Sequence, residues 1–139
     1  MRLRVFIAVI LVALAGCAAV NVSSDVTRDV RGYHHIFVRT ASNDSDHLDQ
    51  TITQQLQRLG YDASFGQRTM APDNTELYIE YQGQWDWDFR TYLIRLNLTV
   101  HDARSDVKLA SSGIFHPGYS SKSPEELVRL ALKPIFAPK

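Results

Sequence analysis

"LYIEYQGQWDWDFRTYLIRLNLTV", Leu77 to Val100, decides the fold. From Leu77 to Phe89 the odd positions read Leu77, Ile79, Tyr81, Gly83, Trp85, Trp87 and Phe89. The even positions read Tyr78, Glu80, Gln82, Gln84, Asp86 and Asp88. Side chains alternate across a strand, so this is a long strand with one apolar face. From Tyr92 the parity reverses: Tyr92, Ile94, Leu96, Leu98 and Val100 are apolar, and Leu93 interrupts the polar set Arg95, Asn97, Thr99 and His101. A hairpin centred between Phe89 and Arg90 requires such a reversal. It sets Trp85 opposite Ile94, Tyr81 opposite Leu98 and Ile79 opposite Val100, with Gln84 facing Arg95 and Gln82 facing Asn97 on the other side. Like meets like, which is how a half-buried sheet specifies its register. Phe-Arg lacks the Gly or Asn that positive φ favours in a two-residue turn, so a four-residue loop from Asp88 to Thr91 is expected.

Downstream, Asp102 to Asp106 reads as a second turn and Val107 to Phe115 as a third strand of the meander. Ser123, Pro124 and Glu126 then form a capping box with proline at the first helical position. Leu127, Leu130, Ala131 and Ile135 give that helix its apolar face, and Pro134 is expected to end it. Upstream, His34 to Thr40 is a β-rich run. Asn43 to Asp46 offers N-cap candidates, after which Leu48, Ile52, Leu56 and Leu59 recur at helical spacing. Gly60 suits the position just past that helix, with Tyr61 available for the hydrophobic contact of the stop. Tyr61 to Gly66 is a further strand and Gln67 to Thr75 a loop. The expected fold is α+β, a two-layer sandwich in which two helices cover one face of a largely antiparallel sheet of four to five strands. Its order is β-α-β-β-β-β-α, within a single domain over residues 33–139.

The N-terminus carries Arg2 and Arg4, then an apolar run from Val5 to Leu14, then Ala15, Gly16 and Cys17. Ten apolar residues fall short of the ~20 that cross a bilayer as a helix. A basic start, a short apolar run and small residues form the pattern of a secretory signal over residues 1–16. Cys17 is the sole cysteine, so an intrachain disulfide is impossible. Loss of Arg2 and Arg4 leaves thirteen Lys and Arg against fifteen Asp and Glu, a net charge of −2. With no basic stripe, nothing points to nucleic acid. Residues 17–32 are polar and aperiodic from Ala18 to Gly32. They read as a lipidated N-terminus and tether reaching ~50 Å when extended, unless part of the segment, such as Val26 to Val30, pairs as an edge strand.

"LAGC", Leu14 to Cys17, resembles the lipobox of bacterial lipoproteins. That resemblance implies cleavage between Gly16 and Cys17, a diacylglyceryl thioether on Cys17 and further acylation of its freed amine. Two or more chains anchor stably, because each buried methylene contributes ~0.8 kcal/mol. Ala18 in place of Asp after the cysteine implies the outer membrane rather than the inner one. The stretches "WDWDFRTYLIRLNLTVHDARSDVKLASSG" and "KSPEELV" resemble an uncharacterised family of proteobacterial lipoproteins, with Ser105-Asp106 where that family has Thr-Gly or Asn-Gly. Such lipoproteins are similar to small periplasmic α+β domains, among them the N-terminal domain of the Tol-system propeller protein and the activators of penicillin-binding proteins. At fold level this implies binding and accessory roles.

Asp86 and Asp88 lie on one strand face ~7 Å apart, a spacing compatible with water-mediated glycoside hydrolysis. The competing reading, that they solvate the back of a strand whose front carries Trp85 and Trp87, is preferred, and no catalytic residue is assigned. His34 and His35 point to opposite faces, and His47, His101 and His116 lack ligand spacing, so neither a metal nor a cofactor is expected. Tyr81 and Trp85 read as core. Trp87 and Phe89, near the hairpin tip, are the candidate contacts with a partner or with the membrane interface. The expected role is non-enzymatic: a lipid-anchored outer-membrane lipoprotein whose periplasm-facing domain serves an envelope protein complex. A protein binding a lipid or small apolar ligand between helices and sheet is the first alternative, and a glycan-acting envelope enzyme the second.

Overall fold

The computed structural model describes residues 19–117 and 122–138. Strands β1 (Asn21–Val26), β2 (His35–Arg39), β3 (Asp62–Gly66), β4 (Leu77–Asp88), β5 (Arg90–Asp102) and β6 (Lys108–Phe115) form one sheet in the order β1-β6-β5-β4-β2-β3. Helices α1 (Leu48–Arg58) and α2 (Pro124–Phe136) pack on one face of it. β2 is parallel to both β3 and β4, and every other pairing is antiparallel. The fold is therefore a small α+β domain with a mostly antiparallel mixed sheet. The described residues form six strands, not four or five, and the order gains a strand at its start. The parallel pair follows from α1, since a helical crossover returns the chain to the end of the sheet it left.

The extra strand corrects the reading of residues 17–32 as a tether. Asn21 to Val26 pairs along its whole length with β6, from Asn21 opposite Phe115 to Val26 opposite Ala110. Thr27 and Arg28 then donate to the Leu109 carbonyl, and Val30 is fully buried in the core. Pairing covers what would be a bare β6 edge. All six residues of β1 are exposed, which is why apolar alternation did not announce the strand. Of the stretch Val26 to Val30, only Val26 belongs to it.

The β4–β5 ladder keeps the expected register from Ile79–Val100 through Tyr81–Leu98 and Gln82–Asn97 to Gln84–Arg95. A bulge between Gln84 and Trp85 then shifts it, so Trp85 faces Leu93 rather than Ile94. The extra residue is Ile94, whose carbonyl accepts from the His116 amide at 2.7 Å. The bulge resolves the parity anomaly at Leu93, which is buried. It also moves the hairpin's centre onto Phe89. Asp88 pairs with Arg90, and Phe89 alone makes the turn at φ 59°. The expected four-residue loop is absent. A second bulge, between Val100 and His101, accompanies burial of both Leu109 and Ala110.

α1 buries Leu48, Ile52 and Leu56 as expected. Leu59 is instead 40% exposed, and Asp49, Thr53 and Gln55 complete the buried face. Gly60, at φ 96°, ends the helix with the paired bonds of a Schellman stop, Gly60 amide to Gln57 carbonyl and Tyr61 amide to Leu56 carbonyl. Its start is less direct. The capping position is His47, in the left-handed region and without a side-chain bond, and Asp44 does the capping from further upstream. Asp44 accepts from the Leu48 amide at 3.1 Å and the Asp49 amide at 3.0 Å. Its carboxylate also accepts from the Tyr81 hydroxyl, which accepts in turn from the Ala41 amide at 3.1 Å.

α2 has the expected capping box: the Glu126 amide donates to Ser123 Oγ, and the Ser123 amide donates to Glu126 Oε2. Pro134 does not end the helix, which continues to Phe136. A proline in the last turn forgoes one backbone bond, and burial of Ile135 and Phe136 offsets this. Phe136 also packs edge-on against Tyr61, ring centroids 5.3 Å apart. The second hairpin turn needs no glycine. Asp106 adopts φ 63°, and Asp102 Oδ1 accepts from the Arg104 and Ser105 amides.

Gly83 lies where Leu48 crosses the sheet, and a Cβ there would come within 2.5 Å of Leu48 Cδ1. Gly83→Val is expected to destabilise the fold by about 1–3 kcal/mol through overpacking. In chemical denaturation, adding Leu48→Ala is expected to cost less than the two single changes together, a coupling of at least ~0.5 kcal/mol. Asp44 gives a second test. Burial pushes its carboxyl up, but the Tyr81 hydroxyl and the helix amides outweigh this and hold it below its ordinary value. A lowered carboxyl contributes stability above its unfolded value, lost as pH falls through its folded one. Asp44→Ala is therefore expected to cost about 1–2 kcal/mol at neutral pH. The gap from the native chain should narrow below pH ~4 in thermal melts.

Candidate functional site

Beyond the Gln84–Arg95 pair, and apart from the His116 amide on the Ile94 carbonyl, β4 and β5 pair among the described residues only with each other. β2 leaves β4 at Ile79, and β6 leaves β5 with Phe115 opposite Arg95. The remaining pairs, Trp85–Leu93, Asp86–Tyr92, Trp87–Thr91 and Asp88–Arg90, form a two-stranded ribbon ending in Phe89. Trp85 is half-buried against the core and Leu93 is buried, so the ribbon's root is fixed. Its tip is open: Trp87 is 69% and Phe89 93% exposed, with ring centroids 6.3 Å apart. A left-handed φ is uncommon for a residue with a bulky side chain, so the turn places a large apolar ring outward at a backbone cost of about 1–3 kcal/mol.

The same ribbon settles the position of Asp86 and Asp88. Both are exposed, and among the described residues a ribbon two strands wide offers them no surrounding walls. Asp86 Oδ1 accepts from the Trp87 amide at 2.8 Å. Across from them, burial and then the charges of Asp86 and Asp88 push the Tyr92 phenol above its ordinary range. The ribbon is thus two-faced, with Trp85, Trp87 and Leu93 on one side and Asp86, Asp88 and Tyr92 on the other.

The face of the sheet away from the helices carries chemistry that the sequence reading passed over. Arg39 stacks on the Tyr78 ring, 3.2 Å from its centroid, and donates to Glu80 at 3.1 Å. His101 also stacks on Tyr78, centroids 4.7 Å apart and ring planes nearly parallel, with Nε2 3.6 Å from Glu80 Oε2. Next to this stack lies a shallow groove of about 810 Å³, lined by Arg39, Arg68, Gln82, Gln84, Arg95 and Asn97 among others. Guanidinium, amide and hydroxyl groups suit this surface to hydrogen-bonded recognition of polar partners. The clue in the sequence was Tyr78, an aromatic residue within the polar series.

Cys17 and Gly16 lie outside the described residues. Among the described residues no cluster of His, Cys, Asp and Glu is arranged to hold a metal ion. His35 meets Asp62, His101 joins the Tyr78 stack, and His116 is buried at the root of the hairpin. Between helices and sheet, Ile52, Leu56, Leu96, Leu98, Leu127 and Leu132 are all nearly inaccessible, in the layer where an apolar ligand was the alternative reading.

No protein-family model matches the chain, and comparison with curated proteins finds no match either. The chain is similar in fold to PelC. A point-substituted PelC from Paraburkholderia phytofirmans, described as a dodecamer, shares 14% identity at a TM-score of 0.67, over 84% of this chain and 99% of its own. A second PelC dodecamer from the same organism shares 14% identity at a TM-score of 0.65, over 87% of this chain and all of its own. At that identity the likeness to PelC shows the fold alone.

Phe89 gives a direct test of whether the tip serves folding. Glycine tolerates φ 59° without strain, and little packing is lost with a ring so exposed. Phe89→Gly relieves that backbone cost against an added entropic cost of about 0.5–1 kcal/mol for glycine. Denaturant titration is therefore expected to find the variant no less stable than the native chain, and more stable by up to about 2 kcal/mol.

Proposed function

We propose that this chain is a lipid-anchored, non-enzymatic accessory module of a bacterial outer membrane, facing the periplasm and acting through contacts with envelope proteins, copies of itself among them. The observation that carries the reading is "LAGC" after a short apolar run, with Cys17 only four residues ahead of β1. Among the described residues no helix is long and apolar enough to cross a membrane, so an anchor on Cys17 would be the attachment this reading requires. The chain's most prominent surfaces, the aromatic ribbon and the polar groove, are recognition surfaces in their chemistry. Self-association is supported by the two PelC structures described as dodecamers. It is supported as well by β1, an outer edge strand with every residue exposed.

One measurement tests both parts. In native mass spectrometry of the full chain extracted from membranes, the mature protein is expected to begin at Cys17, to carry the mass of a diacylglyceryl group plus an amide-linked acyl chain, and to appear as a discrete oligomer. An unmodified thiol or a retained Met1 would overturn the anchor, and a monomer at all concentrations would overturn self-association.

A further inference from the structure

Strand register fixes which end of the domain each feature occupies. Asn21 pairs with Phe115, Phe115 with Arg95, and Arg95 with Gln84, so these four residues form one row across the sheet. β1 begins at that row and runs away from it, so the chain ahead of Asn21 leaves from that end. The β4–β5 ribbon projects from the same row in the same direction. From Gln84 to Phe89 it extends ~17 Å at ~3.4 Å per residue. From Asn21 back to Cys17 the chain spans at most ~14 Å, and Val20 is still packed against the core. The two reaches match, at strands ~14 Å apart in the sheet, three spacings of ~4.8 Å.

We infer that Trp87 and Phe89 seat in the interfacial layer of the same bilayer that holds the lipid on Cys17. The inference rests on the lipid-anchor reading and adds a second, non-covalent point of attachment. Aromatic rings favour the headgroup level, where an apolar body and a wet surrounding coexist. The ribbon's two faces suit that placement. Trp87 lies on the side that enters, beyond the root where Trp85 and Leu93 pack against the core, and the carboxylates of Asp86 and Asp88 stay on the side that keeps to water. A lipid at one side of the row and two rings at the other would hold the sheet with its strands steeply inclined to the membrane. The polar groove would then face sideways into the periplasm.

The chain has two tryptophans, Trp85 and Trp87, so Trp85→Phe leaves Trp87 as the reporter. The full lipidated chain is reconstituted into phosphatidylethanolamine–phosphatidylglycerol vesicles with acyl chains brominated near the carbonyl. Emission, iodide accessibility and the mass of the Cys17 peptide are read on one sample. Trp87 is expected to lose most of its emission to the bromines, to shift to the blue and to be shielded from iodide. Emission that resists bromine but yields to iodide would overturn the inference. Shielding from iodide without bromine quenching would overturn it too, in favour of a protein contact. If Cys17 carries its lipid in either case, the anchor stands and the seated tip alone falls; an unmodified Cys17 thiol removes both. Should Trp85→Phe disturb folding, the difference between the native chain and Trp87→Phe gives the same signal.

Discussion

The ladder between β4 and β5 carries the rest of the molecule. Its apolar face supplies Leu77, Ile79, Leu96, Leu98 and Val100 to the core, all essentially inaccessible, and both helices close over that face. Each such side chain contributes about 1.5–3 kcal/mol by leaving water. A one-residue slip would turn the whole row outward. Because the register is held so firmly at the core end, the far end can run past every neighbouring strand and carry exposed aromatic rings without loosening what lies behind it.

Polar fastening complements the apolar layer. Tyr81 belongs to the apolar row by position, yet its hydroxyl reaches out to Asp44, the residue that holds the first amides of α1. Burial and the neighbouring carboxylate hold that phenol well above its ordinary range, so the hydroxyl keeps its proton and stays a donor through the physiological range. The start of α1 is thereby tied to the middle of β4. Leu48 lies across Gly83 one step further on. Helix and hairpin root form one unit.

Much of this was legible in the sequence, and the failures share a cause. Alternation from Leu77 to Val100 specified the hairpin and its inner register, and the capping box specified the start of α2. What escaped was set by partners distant in the chain. Asn21 to Val26 is a strand because β6 leaves an edge to be covered, not because its own residues demand it. Ile94 bulges as its carbonyl meets the His116 amide, and that single extra residue converts a four-residue loop into a turn at Phe89. Pro134 is carried inside α2 by burial of the two residues after it. Of the candidate site, the exposure of Trp87 and Phe89 followed from their place beyond the helices' cover. The stacked Arg39, Tyr78 and His101 come from three strands, and no local pattern could bring them together.

The direction of β1 has a mechanical consequence. A pull on the N-terminus, outward along the strand axis, does not peel this strand from β6 one bond at a time. It loads all six residue pairs from Asn21–Phe115 to Val26–Ala110 together, and they must slip as a set. An edge strand that looks like the weakest part of the sheet is therefore oriented as a shear joint, able to bear drag on the domain without unravelling from its end.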